Sequence, residues 1–504
     1  MTKLAAIDVG SNAFRLAIAT FNEEGEMQVI HTSRESVRLG ADVFSRYEIS
    51  EDKLIEGIEA FIRFRKILNE YKVKVVRAVG TSALREARNR SYFINQIAKA
   101  TDISIDVISA EEEARLEHLA VSRAVDIQNK LALIVDIGGG SVEVTLATKK
   151  EIVATESFAI GTVRLLQLLE HEKRGEKVFR QLVQEYVKVT DARLRKEIAD
   201  RKIDVCIATG GNVESLGDLR VEICKGKSNT SVTVEELDII IKELEGRSYE
   251  GRIKDFKLRF DRADVIIPAA LVLQNVANLA NFKEILIPRV GVRDGLLIDM
   301  ADKLRSEESE PLSRAQVITS AHLLGRKYDY EQQHATNVAR FALDLFDATT
   351  KLHRLGDDER LLLEVAALLH DVGYYISVTS HHKHSYYIIN SSPLIGLDEV
   401  QKALIANVAR YHRRSVPKGN HREFYELTPK QRQIVLKLAA ILRLAEAMDR
   451  EHASRVKSIR ITNSRNGKFK IFLEGDGDML LEKWALSRGC QLFEKTFKKK
   501  VQIE

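Results

Sequence analysis

LAAIDVGSNAFRLAIA (residues 4–19) and ALIVDIGGGSVEVTLA (residues 132–147) are two copies of one pattern, placed 128 positions apart. In each copy an apolar run ends in an aspartate, Asp8 or Asp136, and a glycine two positions later opens a short turn into a second apolar run. This pattern predicts a strand, a tight turn and a second strand in both places. A repeat of this kind indicates two similar halves built on the same plan.

The rest of residues 1–300 alternates between strand-like runs and amphipathic helical stretches, which is typical of an α/β fold. The predicted strands span 3–9, 14–19, 74–79, 104–108, 131–137, 142–147, 204–208 and 285–287, and the predicted helices include 51–70, 111–124 and 174–200.

The chain changes character after these residues. From about 311 to 450 the apolar residues recur at three-and-four spacing, which predicts a mostly helical region. Residues 457–474 predict a hairpin that turns at Asn466-Gly467, followed by a helix near 483–498 and a short terminal strand. We therefore expect four domains, with boundaries at 1–125, 126–305, 306–452 and 453–504.

Composition excludes several classes of protein. The 504 residues are 44% hydrophobic and 30% charged, as in an ordinary globular protein. Three widely spaced cysteines argue against a disulfide scaffold or a cysteine-based zinc site, and they fit a reducing compartment. No apolar run approaches about 18 residues, so we expect no membrane span, and the short apolar start predicts no signal peptide. A cytoplasmic protein is the expectation.

The net charge of +5 is unevenly distributed along the chain. Residues 401–470 alone carry a net charge of about +12. A basic region of this kind favours a polyanionic partner, although a solvated helical face explains it equally well.

Glycine turns that follow strands have a use in phosphate binding. Their backbone N–H groups can approach an anion closely, and an aspartate at the strand end can bind a divalent cation. Two such turns that face each other would grip adjacent phosphates. A third glycine turn, ATGGN (208–212), would add a wall to the cleft or would simply be a tight βα turn. The segment GTSALREA (80–87) could bind an anion at a helix start, or could only cap that helix.

Charged residues near these turns suggest a division of roles. Arg15 and Glu143 occupy equivalent positions of the two copies, so Arg15 would neutralise phosphate and Glu143 would bind metal or water. Three glutamates at 111–113 begin a predicted helix, where acidic residues are favoured by the helix dipole. One of them could act as a catalytic base, but their positions do not indicate which.

Nine segments of residues 1–300 resemble the exopolyphosphatase / guanosine pentaphosphate phosphohydrolase family, which belongs to the superfamily of actin, sugar kinases and heat-shock chaperones. They are AAIDVGSNAFRLAIA (5–19), ESVRLG (35–40), AVGTSALREARN (78–89), VISAEEEARLEHLAV (107–121), IVDIGGGSVEV (134–144), ESFAIGTVRL (156–165), IATGGNVESL (207–216), RADVIIPAALVL (262–273) and GVRDGLL (291–297). HKHSYYII (382–389) and NVARYHRR (407–414) look like the helical domain of the long family members.

The resemblance implies a fold class. It is an α/β protein with two actin-like (ribonuclease H-like) half-domains, an all-α HD-like domain and a small α+β C-terminal domain.

The resemblance also implies residue roles. Glu113 would be the general base, while Asp136 and Glu143, with Asp8 at the end of the first strand, would lie at a Mg²⁺ or Mn²⁺ ion. Arg85 would contact phosphate. The remaining expected phosphate-binding residues come from the three glycine turns: Ser11, Asn12, Arg15, Gly139, Gly140, Ser141, Gly210 and Gly211.

The helical region carries an H…HD…D series that resembles the metal site of HD phosphohydrolases. Histidine on an apolar helix face is more often a core residue, but the ordered set favours a divalent metal site. Its expected ligands are His334, His370, Asp371 and Asp449, with His384 and His412 as possible ligands of a second ion.

The leading hypothesis is an exopolyphosphatase that releases the terminal phosphate of inorganic polyphosphate by Mg²⁺-assisted attack of water. The alternatives are removal of the 5′ γ-phosphate of pppGpp at the same site, both activities, a kinase of the acetate- or sugar-kinase kind, or a non-catalytic nucleotide sensor. Arg410, Arg413, Arg414 and Lys418 would line a channel for a long polyanion. The family implies a homodimer, and nothing in the sequence predicts a membrane or a specific nucleic-acid partner.

Overall fold

The computed structural model describes most of the chain. The described residues are 3–22, 26–170, 201–305, 311–392, 394–413, 416–417, 421–463, 469–475, 477 and 479–504, together with Gln181, Glu185, Lys188 and Arg195. The chain forms two compact units, Met1–Ser309 and Glu310–Glu504. Most of the helix expected at 174–200, and the whole hairpin turn expected at Asn466-Gly467, lie outside the described residues.

Two β-sheets form the centre of the N-terminal unit. The first has the strand order β3-β2-β1-β4-β5 and the second the order β10-β11-β9-β6-β7-β8. The strands are β1 (Lys3–Val9), β2 (Phe14–Phe21), β3 (Met27–Glu35), β4 (Val75–Gly80), β5 (Ile105–Val107), β6 (Ala132–Ile137), β7 (Val142–Ala147), β8 (Ile152–Phe158), β9 (Val205–Thr209), β10 (Ser231–Thr233) and β11 (Glu284–Leu286).

Helices cover these sheets, and the predicted α/β alternation is confirmed. The helices of this unit are α1 (Gly40–Arg46), α2 (Glu51–Glu70), α3 (Ser82–Glu86), α4 (Arg90–Thr101), α5 (Ala110–Ala124), α6 (Thr162–Glu170), α7 (Gly211–Ile223), α8 (Val234–Glu245), α9 (Tyr249–Asp255), α10 (Phe260–Ala263), α11 (Ile266–Leu279) and α12 (Val292–Arg305).

Both copies of the sequence repeat form the predicted hairpin. β1 pairs antiparallel with β2 and places Asp8 opposite Arg15, while β6 pairs antiparallel with β7 and places Asp136 opposite Glu143. Every residue of β6 and β7 is buried, which explains their near-continuous apolar sequence. The offset of 128 positions therefore relates equivalent places in two sheets.

The two turns are closed in the same way. The Gly10 N–H donates to the Ala13 carbonyl at 3.2 Å, and the Gly138 N–H donates to the Ser141 carbonyl at 3.1 Å. Gly10 and Gly138 are 128 positions apart, and so are Ala13 and Ser141. The duplication therefore extends to the backbone hydrogen bonds of the turns.

Helix α12 crosses back to the first sheet. Leu296 and Leu297 pack in one buried cluster with Leu4 of β1 and Leu116 of α5. The second half expected at 126–305 thus shares its last helix with the core of the first. The sequence pattern does not show this long-range packing, because an apolar face does not specify which sheet it covers.

Gly295 is the point of closest approach between α12 and α5. A Cβ at this position would lie 1.8 Å from the carbonyl oxygen of Leu116, which is a backbone atom and cannot turn aside. The absence of a side chain therefore sets how closely α12 packs on the helix that carries the glutamates 111–113.

We expect Gly295→Ala to lower the free energy of unfolding by about 1–3 kcal/mol, because the new methyl group forces the two helices apart. Alanine otherwise stabilises a helix interior relative to glycine by about 1 kcal/mol, so the sign is diagnostic. Urea unfolding measures the effect. Gly246→Ala is the control, since a Cβ there meets nothing closer than 3.6 Å and its stability should not fall. A Gly295→Ala protein more stable than wild type would contradict the prediction.

The C-terminal unit is mostly helical, as expected, and ends in a small sheet. The helices are α13 (Pro311–Lys327), α14 (Gln332–Ala348), α15 (Thr350–His353), α16 (Asp357–Leu369), a 3₁₀ turn (Val372–Tyr375), α17 (His381–Ser391), α18 (Glu399–Arg410), α19 (Arg422–Tyr425), α20 (Pro429–Ala447) and α21 (Leu480–Phe497). The sheet has the order β12-β13-β14, formed by β12 (Val456–Asn463), β13 (Phe469–Gly475) and β14 (Val501–Ile503).

One hydrophobic core runs through this unit. Ile471 of β13 and Phe493 of α21 belong to the same buried cluster as Phe341 of α14 and Leu438 of α20. The helical region and the small tail that the sequence suggested as separate domains therefore share their apolar contacts. Among the described helices, none combines the length and the apolar character that crossing a lipid bilayer requires.

Candidate functional site

The two glycine turns of the N-terminal unit meet at a cavity of about 320 Å³. A Cβ on Gly139 would lie 3.1 Å from the Cβ of Ser11, so the second turn packs directly on the first. Asp8, Asp136 and Glu113 all line this cavity. The aspartates of the two repeats and the helix-start glutamate thus share one site.

Three buried carboxylates converge at the cavity, and two of them, Glu113 and Asp136, line it. Glu113, Asp136 and Glu143 each place a carboxylate oxygen within 4.8 Å of the others. Glu113 lies in the first turn of α5, whose start is fixed by the Ser109 side chain accepting a hydrogen bond from a backbone N–H. Asp8 lines the cavity but is outside this group, so the expected metal ligands Asp136 and Glu143 are joined by Glu113 instead.

The acidic group fits a divalent cation. Glu143 is buried, and its Oε2 has no hydrogen-bond partner among the described residues. Burial and the neighbouring Asp136 raise the pKa of Glu143 to about 7, and burial with the charge of Glu143 raises the pKa of Glu113 well above its usual value. Carboxylate oxygens are the ligands that Mg²⁺ prefers, and a cation would allow all three groups to ionise.

Arg85 contacts the acidic group rather than open space. Its Nη1 donates to Oε2 of Glu113 at 2.7 Å, and its Nη2 lies 3.9 Å from Oε1 of Glu143. The sequence suggested a phosphate contact for Arg85. In the structure, the hydrogen bond from Arg85 orients the Glu113 carboxylate. A phosphate bound by Arg85 would have to share its guanidinium with Glu113.

Four arginines also line the cavity. Arg15, Arg34, Arg262 and Arg293 all line it, and the described residues offer Arg15 no carboxylate within 4.0 Å. Burial and the nearby positive charge of Arg15 lower the pKa of Arg262 to about 10. Like charges converge in this way where an anion is to be bound, so the cavity combines carboxylates with a cluster of arginines.

Only Arg15 of these four was predicted from the sequence. Arg262 and Arg293 stand in segments that carried the family resemblance (262–273 and 291–297), and Arg34 directly precedes another (35–40). Those segments were the available signal. Nothing in their local pattern indicates that residues so far apart in the chain face one cavity.

The third glycine turn (208–212) is both a tight turn between a strand and a helix and part of the cavity wall. Gly210 has a φ of +99°, and a Cβ there would lie 2.7 Å from the carbonyl oxygen of Ile137. A Cβ on Gly211 would lie 2.3 Å from Nη2 of Arg15. The turn therefore packs against β6 and also forms the wall of the cavity next to the unpaired arginine.

Glu117 is a site residue that the sequence analysis missed. It lies one helical turn after Glu113 on α5, is 2% exposed and lines the cavity. Its carboxylate lies beside Asp136 and Thr209, yet neither oxygen accepts a hydrogen bond of good geometry from a described residue. Burial and the charge of Asp136 raise its pKa well above the usual value. The spacing of four residues from Glu113 was the only signal in the sequence.

We expect Glu117→Gln to raise the free energy of unfolding by about 1–3 kcal/mol in metal-free buffer at pH 8, because it removes an unsatisfied buried carboxylate and keeps its shape. Denaturant unfolding with EDTA present measures this. The control is Glu112→Gln, which breaks the paired hydrogen bonds from Arg115 at 2.8 Å and should not stabilise. Equal losses of stability in both variants would contradict the prediction.

The C-terminal unit contains a second convergence of metal-ligand side chains. His334, His370 and Asp371 form one group within 4.8 Å, and Asp371, His381 and His412 form another. All four histidines are buried. Of the expected ligands, the structure thus brings together His334, His370, Asp371 and His412.

Two expected ligands, His384 and Asp449, lie outside both groups. His381 takes the place proposed for His384, which lies three residues further along α17 and is therefore displaced by about 4.5 Å along the helix axis. Asp449 lies behind His334: its Oδ2 is 3.0 Å from His334 Nδ1, while Oδ1 accepts a bond from the Ser454 N–H at 2.8 Å. Asp449 therefore orients a histidine and is not part of either group.

Of the four basic residues expected to line a polyanion channel, two contact other side chains and two lie outside the described residues. Arg410 forms an ion pair with Glu423 at 3.2 Å, and Arg413 Nη1 lies 3.3 Å from Nε2 of His381. Arg414 and Lys418 lie outside the described residues. The channel stays a prediction.

Two hairpins of one design that meet over a single cavity characterise the phosphate-processing enzymes of the actin-like class. Within that class, the profile of the Ppx/GppA phosphatase family matches residues 18–304, and the profile of Ppx/GppA phosphatase, domain III, matches residues 318–488. The chain belongs to the Ppx/GppA phosphatase family. The family resemblance and the fold class are confirmed, whereas the HD-like character of the helical region stays a prediction.

This chain is similar to relatives named as pyrophosphatases and to relatives named as exopolyphosphatases. The guanosine-5'-triphosphate,3'-diphosphate pyrophosphatase of Photobacterium profundum is 29% identical over 426 residues, covering 81% of this chain and 80% of the relative. The exopolyphosphatase of Cytophaga hutchinsonii has a solved structure with a TM-score of 0.56 and 26% identity, covering 60% of this chain and 98% of that one. The Aquifex aeolicus member of the Ppx/GppA family gives a TM-score of 0.50 at 25% identity, covering 61% and 99%. Ppx/GppA phosphatases are phosphoanhydride hydrolases that depend on a divalent metal ion.

Proposed function

We propose that this chain is an exopolyphosphatase that hydrolyses the terminal phosphate of inorganic polyphosphate. Removal of the 5′ γ-phosphate of pppGpp at the same site is the alternative, alone or as a second activity. The observation that carries the proposal is one cavity lined by Glu113, Asp136 and Arg15, with the Glu143 carboxylate within 4.8 Å of those of Glu113 and Asp136. Similar proteins named for each activity support both substrates.

Phosphoanhydride hydrolysis depends mainly on positioning and on charge stabilisation, and the residues divide these tasks. The backbone N–H groups of the turns around Ser11 and Gly139, together with Arg15, would bind the oxygens of the terminal phosphates. Asp136 and Glu143 would hold a Mg²⁺ or Mn²⁺ ion, which when bound offsets negative charge on the phosphate oxygens.

Glu113 would accept a proton from the attacking water. Burial makes its ionised carboxylate a stronger base, and the bond from Arg85 holds that carboxylate in a fixed direction. The water oxygen then bonds to the terminal phosphorus, and the bond from that phosphorus to the bridging oxygen breaks. The shortened polyphosphate then leaves past the arginines that line the cavity.

Two further expectations accompany this proposal. The basic residues of 401–470 would hold the distal part of a long polyphosphate, and the chain would act as a homodimer in the cytoplasm. The net charge of about +12 on residues 401–470 supports the first. Family resemblance supports the homodimer, and the three widely spaced cysteines fit the cytoplasm.

We expect Glu113→Gln to lower kcat for phosphate release by roughly 10²–10⁴-fold, because the variant keeps the shape of the side chain but cannot accept the proton. Substrate affinity should stay within a few-fold of wild type. A phosphate-release assay and equilibrium binding measure the two quantities. Glu111→Gln, in the same helical turn but outside the acidic group, is the matched control and should turn over normally. Unchanged turnover in Glu113→Gln would remove this residue from the role.

We expect polyphosphate to be hydrolysed with a higher kcat/KM than pppGpp when both are assayed side by side. Release of phosphate from pppGpp alone would assign the alternative. Transfer of the phosphate to ADP or acetate, with no free phosphate formed, would place the chain among the kinases instead.

A further inference from the structure

Glu117 is a cavity residue for which the proposed hydrolysis has no role. Helix α5 is buried from Glu113 to Glu117, and these two glutamates, four residues apart, lie on the same face of the helix. Both line the N-terminal cavity. Glu113 accepts a hydrogen bond from Arg85, whereas Glu117 is 2% exposed and neither of its oxygens has a hydrogen-bond partner among the described residues. A buried carboxylate without a partner destabilises the fold, and this one lines the cavity in which the substrate would bind.

Arginines in and beside α5 are paired with other carboxylates. Arg115 of the same helix donates to Glu112 through Nε at 2.8 Å and to Asp299 through Nη2 at 2.9 Å. Arg85 is paired with Glu113 at 2.7 Å. The negative charge of Glu117 therefore has to be balanced by a group that these side chains do not supply.

The groups beside Glu117 present oxygen atoms to it. Asp136 of β6 and Thr209 of β9 are aligned across two parallel strands, and both lie beside the Glu117 carboxylate. The Thr209 hydroxyl donates its proton to Oδ1 of Asp136 at 3.3 Å, so its oxygen retains lone pairs. Two carboxylates and a hydroxyl form an all-oxygen surrounding, which is what a hard divalent cation requires.

Glycines leave space at both carboxylates. A Cβ on Gly291, in the loop before α12, would lie 3.9 Å from Oε1 of Glu117. A Cβ on Gly210 would lie 2.9 Å from Oδ1 of Asp136. Both glycines line the cavity together with the two acids, so no side chain from either position covers these oxygens.

Asp136 connects Glu117 to the group of three carboxylates. An oxygen of Asp136 lies within 4.8 Å of oxygens of Glu113 and Glu143, and Glu117 is not a member of that group. One divalent ion would balance two of the four negative charges, and the Arg85 guanidinium would balance a third. The fourth charge requires a second cation or a proton on Glu117, since a buried charge has to be compensated.

We propose that Glu117 and Asp136 bind a second Mg²⁺ or Mn²⁺ ion, which shares the Asp136 carboxylate with the first ion and balances charge on a phosphate oxygen of the substrate. Mg²⁺ in phosphate-processing sites takes one or two carboxylates together with water and substrate oxygens, so two protein carboxylates are sufficient. Two cations at one phosphoryl group stabilise charge on both the attacking and the leaving oxygen. The role in hydrolysis rests on the proposed function, whereas the binding of the ion rests on Glu117 and Asp136 alone.

Metal content tests the site without any turnover. The full chain and its variants are titrated with Mn²⁺ in the absence of substrate, and free Mn²⁺ is measured by electron paramagnetic resonance. Wild type should bind one ion more than Glu117→Gln, one more than Glu143→Gln and two more than the double variant. Glu111→Gln, on the same helix but outside the cavity lining, is the matched control and should bind as many ions as wild type. Ions held elsewhere in the chain are common to all these proteins and cancel in the differences.

Two results of the titration would overturn the proposal. Equal Mn²⁺ content in wild type and Glu117→Gln would indicate that a proton neutralises Glu117. A double variant that loses only one ion would make Glu117 a ligand of the first ion. Circular dichroism checks folding, and if Glu143→Gln does not fold, the spectrum of bound Mn²⁺ decides: two ions that share a carboxylate couple magnetically, and this coupling should be present in wild type and absent in Glu117→Gln. Identical spectra would overturn the proposal.

The second measurement is the dependence of phosphate release on Mg²⁺ concentration below saturation. We expect the reaction order in Mg²⁺ to be lower by one in Glu117→Gln than in wild type, and kcat at saturating Mg²⁺ to fall roughly 10-fold or more. An unchanged order in a variant that has lost the ion would overturn its role in hydrolysis. Failure of the Mn²⁺ titration would leave the proposed function intact, because that titration contains no substrate and the proposed function is tested by Glu113→Gln.

Discussion

Burial of four carboxylates around one cavity is the constraint on which the N-terminal unit depends. Glu113, Glu117, Asp136 and Glu143 are all under 10% exposed, and buried charge destabilises a fold unless it is paired or hydrogen-bonded. The protein satisfies part of this requirement itself, with Arg85 on Glu113 and the Ser157 hydroxyl donating to Glu143 at 2.9 Å. The rest requires a cation or a proton. The fold therefore makes this cavity suited to a divalent metal ion.

The duplication explains how one hairpin design supplies both an acidic and a basic residue to the site. Both hairpins place a charged residue opposite the strand-end aspartate, and the two copies differ there: Arg15 in the first and Glu143 in the second. The equivalent turns, with no side chain at Gly139, bring the halves into contact. A basic residue suited to an anion and an acidic residue suited to a cation therefore come from equivalent positions of the two copies, which is the combination of charges that phosphoryl transfer uses.

The local pattern predicted most of the fold, and long-range packing was what it could not supply. Strands β1, β2, β6 and β7 were evident because their apolar runs end at glycine turns. The edge strand β3 was missed because its residues are half-buried or exposed and give no apolar run. The packing of helix α12 on α5 was not predicted, since Gly295 reveals its role only when Leu116 is beside it. Family segments located Glu113 and Asp136, whereas Glu117 needed the three-dimensional cluster.

The two groups of candidate metal ligands in the chain differ in their chemistry. The N-terminal group offers only carboxylate oxygens, which suit Mg²⁺, whereas the C-terminal cluster offers four imidazole nitrogens around Asp371, which suit transition metals. His381, next to His382 and one turn before His384, shows why sequence alone could not define that cluster. In the segment HHKH each histidine is a plausible ligand, and only the start of α17 at His381 and the position of His412 decide which one faces the carboxylate.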